Sequence, residues 1–220
     1  MPCEIAQSLL MTDAHAPHIE TDERQTGLAL LIARARAGDT AAFEDLMIAT
    51  QHKVVATAWR MLGDREDARD AAQEVFLRVF KYLERYDPAQ DFHGWLYRIT
   101  LNVCHDAARR RRKIDEGSDW FDAPGHDERA AEGLQTTTQM DAEELLLREQ
   151  QRALVTRALA TLSEKERAAI VLRDLEGLST EEVARILKSR PVTVRSQVSS
   201  ARAKLKLYCD RLLRKGARHA

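Results

Sequence analysis

Residues 162–205 constrain the fold of this chain more than any other stretch, because they spell out three consecutive helices with their start and stop signals. Ser163 stands three residues before Glu166, and Ser179 three before Glu182. Each Ser-x-x-Glu is a capping box, in which hydroxyl and carboxylate satisfy orphan N–H groups of a first helical turn. Gly177 ends the first helix as a C-cap glycine does. The second carries Val183, Ala184, Ile186 and Leu187 on one face. Ser189 and Arg190 form a short turn, and Pro191 sits where a first helical turn accommodates proline. The third helix repeats Val194, Val198, Ala201 and Leu205 at steps of three and four. Its other face presents Thr193, Arg195, Ser196, Gln197, Ser199, Ser200 and Arg202. This is the spacing of a helix-turn-helix whose last helix suits a major groove: Arg and Gln read base edges, and Ser and Thr reach phosphates. A solvated helix of a bundle writes a similar pattern, so the rest of the chain has to discriminate.

Long segments carry a period near 3.6, Gly and Pro are few, and no alternating strand stands out, which predicts an all-α protein. The net charge of -1 conceals a segregation. Arg109 to Lys113 is an unbroken cationic run, and Lys188 to Lys215 holds a single acid, Asp210. Between them, Asp115 to Glu144 has Arg129 as its lone cation. Two basic regions parted by an acidic one fit a nucleic-acid binder. Cys3, Cys104 and Cys209 are far apart, and no pair has metal-ligand spacing; a reduced, cytoplasmic chain with neither metal nor cofactor is expected. No apolar run approaches the ~20 residues of a membrane helix, so no membrane insertion is expected. The first 26 residues lack the charged start and apolar core of a signal peptide.

Along the chain, residues 1–26 are polar and are expected to form a disordered extension. A helical domain spans 27–113. Its first helix, Leu28 to Ala37, stops at Gly38; Asp39 or Thr40 caps the second; Gly63 and Asp64 mark a stop and a new cap. The third, from about Glu66 to Arg85, places Ala68, Ala71, Ala72, Val75, Phe76, Val79, Phe80 and Leu83 toward the core. Tyr86 to Asp91 reads as a loop, and a fourth helix runs from Phe92 into the arginines. Residues 114–139 form a flexible acidic linker too poor in large apolar groups to offset ordering entropy. A second helical domain covers 140–214, followed by a basic tail, 215–220.

Both domains resemble the extracytoplasmic-function (group IV) sigma factors of the sigma-70 family. The first is similar to their region 2 through Ala37-Gly-Asp-Thr-Ala-Ala-Phe43, Gly63-Asp64 with Asp67, Ala68 and Asp70, Gln73-Glu-Val-Phe-Leu-Arg78, and Phe92-His-Gly-Trp-Leu-Tyr-Arg-Ile99 with Asn102 and Asp106. The second is similar to region 4 through Leu159-Ala-Thr-Leu-Ser163, Leu178-Ser-Thr-Glu-Glu-Val-Ala184 and Thr193-Val-Arg-Ser196 with Ala201-Arg202. Two departures stand out. Val192, preceded by Pro191, replaces a frequent glycine, and Gln197 and Ser200 replace frequent arginines.

The resemblance implies a non-catalytic initiation subunit that binds core RNA polymerase (β′ clamp helices and β flap) and promoter DNA, with an anti-sigma factor as regulator and a role in stress response. It assigns polymerase binding to Asp67, Asp70, Gln73, Glu74, Phe76 and Arg78. Independently, Asp67, Asp70 and Glu74 share one side of a helix by their spacing. Phe76 also fits the core spacing. For the −10 element it assigns Phe92, Trp95, Arg98, Asn102, Arg109 and Arg110, which together offer stacking, an amide and cations to a melted strand. Trp95 reads equally well as core. For the −35 element, Thr193, Arg195, Ser196, Ser199 and Arg202 are the expected contacts. The linker acids either mimic an RNA backbone or belong to a plain tether. Two other classes remain: a conventional helix-turn-helix regulator with a helical sensor domain, and a helical adaptor without a DNA role. The segregated basic charge speaks against the adaptor.

Overall fold

The structure is a computed structural model that describes residues 19–117 and 142–216. The described residues form helices joined by short turns and loops, with no strand among them. The expectations for residues 1–18, for most of the linker and for the end of the basic tail lie outside this range.

Helix α1 (Ile19–Arg36) begins well ahead of the expected start at Leu28, inside the segment expected to be disordered. Helix α2 (Thr40–Leu62) follows a cap at Asp39, whose side chain accepts from the Ala42 N–H at 3.1 Å. That hydrogen bond, then the Arg34 guanidinium, holds the Asp39 carboxyl below its usual range. Helix α2 ends at Gly63, where φ is +80°. A Cβ there would be strained by the left-handed backbone and would stand 3.2 Å from Thr156 Cγ2. Helix α3 (Arg65–Tyr82) is capped by Asp64 and runs into a 3₁₀ turn at Leu83–Arg85. Helix α4 (Phe92–Gly117) is capped by Asp91, which accepts from the His93 and Gly94 N–H groups at 3.1 and 2.7 Å. These four helices enclose a core that includes Leu46, Val54, Val75, Val79, Leu96 and Val103.

Beyond the linker, α5 (Ala142–Ala160) leads to α6 (Glu164–Ile170), a π-helical turn at Val171–Leu175, α7 (Thr180–Ile186) and α8 (Pro191–Gly216). Both expected capping boxes form, at Ser163 with Glu166 and at Ser179 with Glu182. The Glu176 N–H reaches back to the Val171 carbonyl at 2.9 Å and Leu178 N–H to that of Leu172 at 3.1 Å, around Gly177 at φ +74°. The carbonyls of Val171 and Leu172 at the end of this helix are thus satisfied, that of Leu172 by a return across the left-handed glycine. The turn into α8 pivots on Lys188, with φ +49°.

The two helical domains pack onto one another, and residues of both belong to one continuous hydrophobic core. Glu176, at the end of the π turn, reaches across to α2 and α4: it accepts from Tyr97 Oη at 2.7 Å, from Thr57 Oγ1 at 3.1 Å and from the Arg60 guanidinium. Arg167 Nη1 donates to the Met61 carbonyl at 2.7 Å, where α2 ends.

Candidate nucleic-acid and polymerase interfaces

Helix α8 separates its residues as its sequence period requires. Val194, Val198 and Ala201 are buried against the preceding helices. Thr193, Arg195, Ser196, Ser199 and Arg202 are exposed. The exposed residues are nevertheless not equally available. Arg202 grips Asp174 with two hydrogen bonds, at 2.8 and 2.7 Å, and this raises the arginine's pKa. The Asp174 side chain is only 11% exposed, so the pair sits partly inside the domain. Arg202 is therefore built as a clamp between α8 and the π turn. Arg195 lies 3.7 Å from Glu181 with both side chains about two-thirds exposed, a contact of negligible strength in water.

A second clamp lies behind the recognition face. Glu166 accepts from Lys204 Nζ at 2.7 Å and from Ser200 Oγ at 2.6 Å, besides closing its own capping box with Ser163. These bonds, that of Lys204 first, pull its carboxyl down to about 2. Ser200, where the family often has an arginine, thus faces inward.

On α3, Asp70 and Gln73 are exposed, while Asp67 and Glu74 are engaged. Asp67 pairs with Arg111 at 2.8 Å. Glu74 pairs with Arg78 at 2.7 Å, and Arg78 reaches Asp106 at 3.4 Å, so these charges tie α3 to α4. Glu74 is the main cause of the raised pKa of Arg78. Phe76 is buried at 8% exposure, in its core role. Phe80, expected in the core, is 60% exposed instead, and Leu77 is 65% exposed. The helix period puts positions 70, 73, 77 and 80 on one stripe of α3, and the packing of α2 and α4 against the other side leaves that stripe largely open. Phe43 half-covers Phe80 edge-on, with centroids 5.1 Å apart. Sequence reasoning missed Leu77 and Phe80 as surface groups, although their step from Asp70 and Gln73 was the available signal.

For the −10 set, Phe92 is buried and Trp95 half-buried. With Tyr86 they form a cluster, at centroid separations of 5.5, 5.1 and 5.8 Å, that secures loop 86–91 to α4. Phe92 therefore builds the loop's support, and Trp95 offers part of its ring outward. Asn102, Arg109 and Arg110 are exposed along α4. Arg98 is half-buried and donates to the Arg185 carbonyl of α7 at 3.1 Å. A cleft of about 1300 Å³ between the domains is lined by Asp70 and Glu74 of α3, Arg110 to Arg112 of α4, and Leu162 and Arg167 of the second domain. Among the described residues, no group of His, Cys, Asp and Glu could hold a metal ion, and no helix is long and apolar enough to cross a membrane.

Residues 46–114 match the family description Sigma-70 region 2, and residues 152–205 match Sigma-70, region 4. The chain is 33% identical to the RNA polymerase sigma-H factor of Pseudomonas aeruginosa over 84% of this chain and 94% of that one. It is 33% identical to the ECF RNA polymerase sigma-E factor of Escherichia coli, over 84% of this chain and 96% of the relative. The solved structure of CnrH in complex with the cytosolic domain of CnrY superimposes with a TM-score of 0.59 at 26% identity, covering 84% of this chain and 97% of that one. A helix-turn-helix lobe and a four-helix lobe with an acidic α3 and an arginine-rich α4, matched in order and over nearly the full length of these relatives, place this chain in the sigma-70 family as an extracytoplasmic-function sigma factor of RNA polymerase.

Proposed function

We propose that this sigma factor binds core polymerase through the exposed stripe of α3, centred on Asp70 and Gln73, and directs it to promoters by reading a −35 element with α8 and a −10 element with loop 86–91 and the outward face of α4. The observation that carries this division is the state of the charges on α8. Arg195, Ser196 and Ser199 stand exposed on one stripe, while Arg202, Ser200 and Lys204 are clamped by Asp174 and Glu166. The clamps fix the pitch of the recognition helix, and the free stripe is left to read bases. Asn102, Arg109 and Arg110 supply the amide and the cations for a single strand, with Trp95 as its stacking edge. The chain does no covalent chemistry and works in the cytoplasm beside the polymerase. Its cleft, lined by acids of α3 and arginines of α4, suits a regulator of anti-sigma type.

In vitro transcription with core polymerase over a randomised promoter library tests this reading. Enrichment of two spaced elements, lost for one element in Arg195→Ala and for the other in Asn102→Ala, is the expected result. Specific duplex binding by the isolated chain as tight as by the holoenzyme would refute it in favour of a conventional regulator, a reading the relatives do not favour.

A further inference from the structure

Helix α8 carries three valines in its first two turns, and they meet different fates. Val194 is fully buried and Val198 nearly so, whereas Val192 is 64% exposed. Val192 lies on the first turn, just after Pro191, and the Val194 N–H already bonds back to the Arg190 carbonyl at 3.1 Å. It stands three, four and seven residues before Arg195, Ser196 and Ser199, so it heads the same exposed stripe. Nothing in the protein's own core explains it. A β-branched residue is a mediocre helix former, and an exposed one gains no burial on folding.

From this placement we propose that Val192 is a specificity residue of the −35 interface, which reads the C5-methyl group of a thymine. This rests on the assignment of α8 as the −35 reader. The N-terminal residues of a recognition helix approach base edges most closely, and the thymine methyl is the one apolar feature of the major-groove code. Valine suits it because its single preferred χ1 leaves two methyl groups fixed in direction, with little rotamer freedom to lose on contact. Pro191 fixes the backbone immediately before it. The axial offset from Val192 to Arg195 is about 4.5 Å, from three residues at 1.5 Å each. Base pairs step by about 3.4 Å. The thymine therefore lies one or two base pairs from the base that Arg195 reads.

The test uses holoenzyme reconstituted with core polymerase and the full chain. A library randomised over the −35 element is transcribed with the wild type, Val192→Ala, Val192→Thr and Arg195→Ala. The wild type should prefer thymine at one position adjacent, or next but one, to the position relaxed by Arg195→Ala. Deoxyuridine is then placed at that position, which removes the methyl group and changes nothing else. Loss of one buried methyl corresponds to about a fourfold fall in promoter binding. Val192→Ala should show the same fall on the thymine promoter and no further fall with deoxyuridine. A wild type indifferent to deoxyuridine, or a Val192→Ala variant that stays as sensitive as the wild type, overturns the proposal. If Arg195→Ala still relaxes a neighbouring position in that case, α8 reads the −35 element without Val192. If no variant changes preference, the −35 assignment falls with it.

Discussion

Replacing Glu176 by Ala should loosen the two domains from one another. The Glu176 side chain is 8% exposed and serves Tyr97, Thr57 and Arg60, all across the domain boundary. Burial, with the carboxylate beside it, pushes the Tyr97 hydroxyl far above the usual phenol range, so Tyr97 remains a donor at any working pH. Hydrogen bonds to a charged acceptor contribute about 1.5–3 kcal/mol each, and removing one member of a buried ion pair costs about 3–5 kcal/mol. Arg60 keeps 27% of its side chain exposed, so water restores part of its hydration and the expected loss is about 3 kcal/mol. For a chain of this size that corresponds to a fall of about 6–12 °C in Tm, read by calorimetry. Tyr97→Phe should overlap with it, with a coupling of at least about 1 kcal/mol in a double-mutant cycle. The latch bears on the proposed function because two separate promoter elements move apart by about 3.4 Å with every base pair between them. A compact chain of 220 residues has a radius of gyration of about 17 Å. On the proposed reading the two lobes part on the promoter, and the Glu176 contacts are among those that would have to break. Small-angle scattering of Glu176→Ala should therefore show a larger radius than the wild type. A Tm shift under about 1 °C with unchanged scattering would show that Glu176 does not hold the domains together.

The Arg202 clamp makes a prediction opposite to that of a phosphate contact: Arg202→Ala and Asp174→Ala should each weaken −35-dependent transcription by about 1 kcal/mol, non-additively and with an unchanged salt slope, whereas a slope reduced by about one unit would mark Arg202 as a phosphate contact. Asp70→Lys should abolish co-purification with the β′ subunit while far-ultraviolet circular dichroism stays unchanged, since Asp70 is exposed and holds no helix together; retained binding would move the interface elsewhere. Glu166 is lowered from 4.5 to about 2, so its bonds to Lys204 and Ser200 stabilise fully above pH 4.5, and that contribution fades as the pH falls toward 2. Glu166→Gln should be less stable at neutral pH and should show a flatter stability profile over that window in urea titrations.

The helix-turn-helix was legible from residues alone because its signals are local. A capping box spans four residues, a C-cap glycine acts on its own turn, and the burial of Val194, Val198 and Ala201 follows from the helix period. Asp39, Gly63 and Asp64 punctuated the first domain for the same reason. Local signals stop where a face has to choose its neighbour. Phe76 and Phe80 both lie near the apolar side of α3, and only the packing of α2 and α4 leaves Phe80 outside. The period places Arg202 on the exposed face but does not announce its ion pair, because the partner, Asp174, is 28 residues away in sequence and is aimed by a π-helical turn. Glu176 offered one hint, an acid at the C-terminal end of a helix, where the helix dipole disfavours it. Its partners Thr57 and Tyr97 lie 119 and 79 residues away, so the helices themselves follow from the sequence period and caps. Which charges are spent inside the protein, and which are left for a promoter or a polymerase, depends on groups that meet only when two separately patterned domains close on one another.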